Sequence, residues 1–135
     1  MFYGTCPAAC PMLIEDARAL LAKLDEGARA QVRVLFVSFD PARDDAARLS
    51  ALGELYSLDP ERWALAAATP DDARELAAAL GIRYRPRPSD GGFDHTSSLV
   101  ILDAHGVEVV RGDGLGAPVE QAVERLRELA SVSPR

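Results

Sequence analysis

Phe2-Tyr3-Gly4-Thr5-Cys6-Pro7-Ala8-Ala9-Cys10-Pro11 decides the fold of this chain. Its first residues are aromatic and β-prone, and Phe2 to Thr5 read as the tail of a strand. From Pro7 to Leu24, Leu13, Ala17, Leu20, Leu21 and Leu24 recur at helical spacing. Pro7 and Pro11 suit a helix only in or before its first turn, where a missing N–H costs little. A strand therefore leads straight into a helix whose N-terminus holds both cysteines of the chain.

Working outward, helix and strand signals alternate. Val32 to Phe39 is β-branched and almost continuously apolar, which predicts a strand covered on both faces. Ala46 to Tyr56 is helical, with Leu49, Leu52, Leu55 and Tyr56 as its inner side, and Trp63 to Ala66 reads as a short strand at a sheet margin. Thr69-Pro70-Asp71-Asp72 starts another helix, Thr as cap and Pro at the first position, and Gly81 ends it. Arg85 to Asp94 reads as a polar loop rich in Pro and Gly. Ser98–Leu102 and Val107–Val110 form a hairpin. Pro118 to Leu129 is a last amphipathic helix with Val119, Ala122, Val123, Leu126 and Leu129 inward. The order predicts one domain over residues 1–135, an α/β fold of the thioredoxin class with a mixed sheet flanked by helices.

Composition narrows the function. With 135 residues, 48% hydrophobic and 27% charged, the chain is of ordinary globular make-up. A net charge of −6 argues against nucleic acid, which needs clustered Lys and Arg. No apolar run approaches the ~20 residues that span a bilayer, and no basic segment followed by an apolar stretch marks a signal peptide.

Cys6, Cys10 and His95 are the residues with chemistry to offer. Two thiols and an imidazole suit a soft metal ion, copper above all, as Cu(I) or Cu(II). Three residues between the cysteines place them one helical turn apart on one face. A helix N-terminus, with unpaired N–H groups and a positive dipole end, favours thiolate over thiol, at Cys6 at least. The same pair can instead form and exchange a disulfide, Cys6 attacking and Cys10 resolving. A third ligand separates the two chemistries, because copper needs one and disulfide exchange does not. Each residue also has a plainer reading: the cysteines as a structural disulfide or inert thiols, His95 as a loop histidine bonded to backbone. His105 reads as a solvated turn residue. Asp40 and Asp44 either orient the site or merely end a strand and cap a helix, and Arg83, Arg85 and Arg87 are a solvated edge or a patch for an acidic partner.

The residues Phe2-Tyr3-Gly4-Thr5-Cys6-Pro7 with Cys10-Pro11, Val37-Ser38-Phe39-Asp40-Pro41 with Arg43-Asp44, Asp94-His95-Thr96 before a strand, and Leu102-Asp103 with Gly106 resemble the SCO/SenC family, in the right order over nearly the whole chain. The resemblance implies a thioredoxin-like fold and a copper-binding metallochaperone that helps assemble the copper site of cytochrome c oxidase, rather than an enzyme. It carries the metal ligands over to Cys6, Cys10 and His95. It implies as partners the copper subunit of cytochrome c oxidase or another copper recipient, and a thiol–disulfide reductant. A thiol–disulfide oxidoreductase using Cys6 and Cys10 is the alternative. The chain departs from the family in having Ala8 and Ala9 where an acidic residue is common. The family's membrane anchor, upstream hairpin and most of the strand leading into the cysteines have no counterpart here. The resulting expectation is that this chain is an N-terminally truncated piece of a longer, membrane-anchored, extracytoplasmic protein.

Overall fold

The structure, a computed structural model, describes residues 1–6, 9–116 and 120–132. Pro7, Ala8, Pro118 and Val119, to which the sequence reading assigned helix starts, lie outside the described residues. Two compact units emerge, Met1–Cys10 with Arg33–Thr96, and Pro11–Val32 with Ser97–Arg135.

In the first unit, Phe2 pairs with the strand β1 (Val34–Ser38) in a parallel bridge at Ser38. Phe2 N–H donates to Val37 O at 3.0 Å, and Phe39 N–H donates to Phe2 O at 3.0 Å. On its other side β1 runs parallel to β2 (Trp63–Ala67), with Val34 opposite Trp63 and Ser38 opposite Ala67. Cover on both faces of β1 was expected, but burial alternates: Phe36 and Ser38 are buried while Leu35 is 62% exposed. Successive side chains of a strand point to opposite faces, and an unbroken apolar run does not say which face is inside. Phe36 meets the Phe2 ring at 5.7 Å and stacks with the buried Trp63 at 6.1 Å, which makes Trp63 a core residue.

Helix α3 (Ala46–Leu55) starts at Asp45, whose carboxylate accepts from Arg48 N–H at 2.8 Å. Leu49 is its buried residue, and Leu55, assigned to the inner side, is exposed. Helix α4 (Pro70–Ala79) has the expected cap, with Thr69 Oγ1 accepting from Asp72 N–H at 3.2 Å and proline in the first turn. The stretch read as a polar loop is instead a small antiparallel hairpin, β3 (Tyr84–Pro86) and β4 (Phe93–His95), with Tyr84 opposite His95. Its tip is closed by Arg87 N–H donating to Gly92 O at 2.8 Å and Gly91 N–H donating to Arg87 O at 3.0 Å. Two three-residue strands, one of them ending in proline, give too short a period to detect in sequence.

Helix α1 (Ala9–Ala22) opens in the first unit and continues through the second, burying Leu13, Ala17, Leu20 and Leu21 as its spacing predicted. A helix that the sequence reading missed, α2 (Glu26–Gln31), follows, capped by Asp25. Strands β5 (Ser98–Leu102) and β6 (Glu108–Asp113) form the expected hairpin. Helix α5 (Glu120–Val132) buries Ala122, Val123 and Leu126, and its Glu120 pairs with Lys23 at 2.7 Å. Among the described residues the strands pair as three two-stranded sheets, one parallel and two antiparallel, accompanied by helices. No helix among the described residues is long and apolar enough to cross a membrane.

Candidate metal centre

Tyr3 touches all three predicted ligands. Its carbonyl accepts from Cys6 N–H at 3.1 Å, closing the turn before helix α1. The same carbonyl accepts from Cys10 Sγ–H at 3.4 Å. Its phenol hydrogen-bonds the Cys6 side chain and the Phe93 amide. Its ring meets the His95 ring edge to face, the centroids 5.6 Å apart.

The two cysteines are not joined by a disulfide and interact with each other, but they are not equivalent. Cys6 is partly exposed, whereas Cys10 is only 6% exposed. Burial pushes the Cys10 thiol up to about 12, and the neighbouring Cys6 adds to the rise. The sequence reading expected the helix N-terminus to favour thiolate. At Cys10 desolvation of the charged form outweighs it.

His95 is carried by β4, two residues after Phe93, so both side chains leave the same face of the strand. That face meets an aromatic floor. Phe93 lies 5.2 Å from Tyr3 and 5.1 Å from Phe39, and His95 lies 5.4 Å from Phe39. Tyr84 stacks on Phe39 at 4.5 Å. His95 Nδ1 is 3.1 Å from Thr96 O. A carbonyl oxygen can only accept, so Nδ1 is the donor in this contact, and in the neutral ring Nε2 is the nitrogen left to meet a metal. Thr96 is itself held, its N–H donating to Arg83 O at 2.9 Å and its Oγ1 accepting from Arg83 N–H at 3.1 Å.

Behind the cysteine turn sits Asp44, 0% exposed. Its Oδ2 accepts from Gly4 N–H at 2.8 Å and from Ser38 Oγ–H at 2.5 Å. Its Oδ1 makes no hydrogen bond and lies 3.3 Å from Arg48 Nε. Asp40, also buried, pairs with Arg43 Nε at 2.6 Å. Helix capping falls to Asp45, so Asp44 supports the cysteine turn instead. His105 is exposed in the β5–β6 turn, where its N–H donates to Asp103 Oδ1 at 2.8 Å. Arg85 and Arg87 both pair with Asp94, at 3.0 and 3.5 Å, which cancels much of the positive patch that the sequence suggested.

The structure brings Cys6 and Cys10 together and sets His95 against the Tyr3 ring. Among the described residues, no three His, Cys, Asp or Glu side chains converge closely enough to hold a metal ion. The aromatic floor of Tyr3, Phe39, Tyr84 and Phe93 was missed in the sequence. The alternation of Phe93 and His95 was the one signal available for part of it.

A family model described as SCO1/SenC matches residues 1–131. A Stutzerimonas stutzeri protein provisionally described as copper-binding is 24% identical over 111 residues, which are 78% of this chain and 53% of that protein. The chain thus spans about half the length of this curated relative. Among solved structures, a SCO1/SenC family lipoprotein from Bacillus anthracis is similar at a TM-score of 0.81 and 20% identity, over 96% of this chain and 77% of that one. ScoI from Bradyrhizobium japonicum, solved with copper bound, is similar at 0.68 and 24% identity, over 95% and 81%. BsSco, solved in work identifying a disulfide switch and described as a member of the Sco family of cytochrome c oxidase assembly proteins, is similar at 0.78 and 18% identity, over 98% and 78%. These likenesses assign the thioredoxin-like α/β fold that the cysteine-bearing helix predicted.

Proposed function

Because this chain belongs to the SCO1/SenC family, we propose that it takes up one copper ion through Cys6, Cys10 and His95 and passes it on by ligand exchange. The recipient in this reading is the copper site of cytochrome c oxidase during its assembly, in line with the description of BsSco. The lipoprotein among its relatives supports work at a membrane surface outside the cytoplasm. One observation carries the proposal: Tyr3 contacts both cysteines and the His95 ring, so the three donors share one neighbour. Two sulfurs and one imidazole nitrogen form a soft donor set that suits Cu(I), and a site of few ligands suits an ion that must leave again. Binding requires the Cys10 thiol to give up its proton, so uptake releases protons and strengthens as pH rises.

The test is a copper titration of the reduced protein, read by stoichiometry and by the sulfur-to-copper charge-transfer band of the Cu(II) form. The parent should bind one ion. Cys6→Ser and Cys10→Ser should each lose the site, and His95→Ala should bind more weakly with an altered band. An unchanged His95→Ala refutes the third ligand, and unchanged serine variants refute the site.

A second reading draws support from the inequality of the thiols. Partly exposed Cys6 suits the attacking role, and buried Cys10 suits the resolving one. Cys6 thiolate would attack a substrate disulfide and release one substrate thiol. Cys10 would then displace the second, leaving a Cys6–Cys10 disulfide and two substrate thiols. Turnover needs an external thiol reductant, and loss of turnover in Cys6→Ser with full retention in His95→Ala would favour this reading over copper transfer.

A further inference from the structure

The cysteine turn and the histidine hairpin are far apart in sequence, yet one short segment holds both. Ser38 Oγ accepts from Asp40 N–H at 3.0 Å while donating to Asp44 Oδ2, which in turn holds Gly4 N–H, two residues before Cys6. Arg43 faces the hairpin. Its Nε donates to the buried Asp40 carboxylate at 2.6 Å, and its second nitrogen donates to Gly91 O at 2.5 Å, at the tip of the β3–β4 hairpin. Its guanidinium also lies 5.8 Å from the centroid of the Phe93 ring, two residues before His95. A planar fork that bonds a carboxylate on one side and a carbonyl on the other, with an aromatic face beside it, transmits position well. Gly91 suits this turn, since its φ of 70° strains other residues.

We propose that Arg43 is a positioning residue for copper: it pins the hairpin carrying His95 to the same Asp40–Asp44 segment that holds the Cys6 turn, and so sets the gap between imidazole and thiols. The proposal rests on the ligand assignment above. Arg43 touches none of the three ligands and acts through Gly91 and Phe93. Its own side chain is 44% exposed, while the Asp40 carboxylate it pairs with is buried.

The test titrates Cu(II) into reduced parent, Arg43→Gln, Arg43→Lys, His95→Ala and the double variant Arg43→Gln/His95→Ala, with Arg85→Gln as control. Groups that orient metal ligands are typically worth roughly tenfold to a hundredfold in affinity. Arg43→Gln should lose that much and shift the charge-transfer band, while one copper ion is still bound. Arg43→Lys, which keeps the charge but loses the fork, should follow Arg43→Gln. In the His95→Ala background, Arg43→Gln should cost nothing further, because the group it positions is gone. Arg85→Gln, in the same hairpin but paired with Asp94, should bind as the parent does. Parent-like affinity and spectrum in Arg43→Gln, beside a weakened His95→Ala, overturn the positioning role and leave the ligand assignment standing. Additive losses in the double variant also overturn it, since they mark an effect that bypasses His95. Parent-like binding by His95→Ala overturns the ligand assignment and the positioning role with it.

Discussion

Tyr3 and His95 meet edge to face, their ring planes at 88° and their centroids 5.6 Å apart. The contact joins the turn before the cysteine helix to the last residue of β4, and Tyr3 also meets Phe39 and Phe93. Tyr3 is 3% exposed, so it is a core residue as well as a neighbour of the candidate ligands.

Two substitutions separate these roles. Tyr3→Phe keeps the ring contacts and loses the phenol's hydrogen bonds to Cys6 and the Phe93 amide, at a cost of about 1 kcal/mol. Tyr3→Leu loses the ring contacts as well and should cost about 2–4 kcal/mol. Denaturant unfolding measures both, and the His95 ring proton shifts should move in Tyr3→Leu but stay near the parent's in Tyr3→Phe. Equal stability losses in the two variants count against the aromatic contact.

Gly4 has almost no room for a side chain. A Cβ there would lie 2.3 Å from Asp44 Oδ1 and 3.0 Å from Leu52 Cδ1. Gly4→Ala must push on a carboxylate that is fully buried and already bonded on its other oxygen. The expected loss is about 1–3 kcal/mol, the usual range for overpacking. Asp44→Asn avoids the clash but weakens two hydrogen bonds to a charged acceptor, for a loss on the order of 2 kcal/mol. Thermal unfolding checks both, and a parent-like midpoint in Gly4→Ala shows that the Asp44 contact is not tight.

Much of this was legible in the sequence, for definite reasons. Leu13, Ala17, Leu20 and Leu21 announce α1 because all four are buried on one stripe, and Thr69-Pro70 announces α4 because cap and first-turn proline act locally. What depends on distant partners was not legible. The exposure of Leu35 depends on which face of β1 receives Phe2 and Trp63, which an unbroken apolar run cannot encode. The β3–β4 hairpin also receives Arg43 at its tip, a contact between residues 48 positions apart that no local pattern announces. Cys6, Cys10 and His95 stood out as residue types, but Tyr3 as their common neighbour is a product of the fold.

The inequality of the thiols has a direct chemical readout. A small alkylating agent at near-neutral pH should modify Cys6 well before Cys10, because Cys10 is buried and held protonated. Mass spectrometry of partly labelled protein measures the order. Equal labelling, or Cys10 first, contradicts the placement of Cys10.

Stability at high pH should report Cys10 as well. Its thiol is raised from 9.0 to about 12 in the folded protein, chiefly by burial. Above pH 9.0 the unfolded chain therefore releases a proton that the folded protein keeps. The contribution of Cys10 is fully present below pH 9.0 and is lost as pH rises through about 12. Unfolding free energies of the parent should fall more steeply across that window than those of Cys10→Ala. Parallel curves reject the buried, protonated thiol.

Oxidation should close the copper site. Cys10 Sγ bonds to the Tyr3 carbonyl as a thiol, and a disulfide to Cys6 removes that proton and both metal-binding sulfurs together. Only His95 then remains of the proposed donor set, and a lone imidazole competes poorly with water and buffer for copper. Protein oxidised to the Cys6–Cys10 disulfide should therefore bind no copper at stoichiometric concentration, and a thiol reductant should restore one ion per chain. Copper loading then depends on the redox state of the pair, which ties the two chemistries of this site into one sequence of reduction followed by metal uptake. The measurement is copper retained after gel filtration of oxidised, reduced and re-reduced protein. Equal copper in the oxidised and reduced samples defeats the coupling.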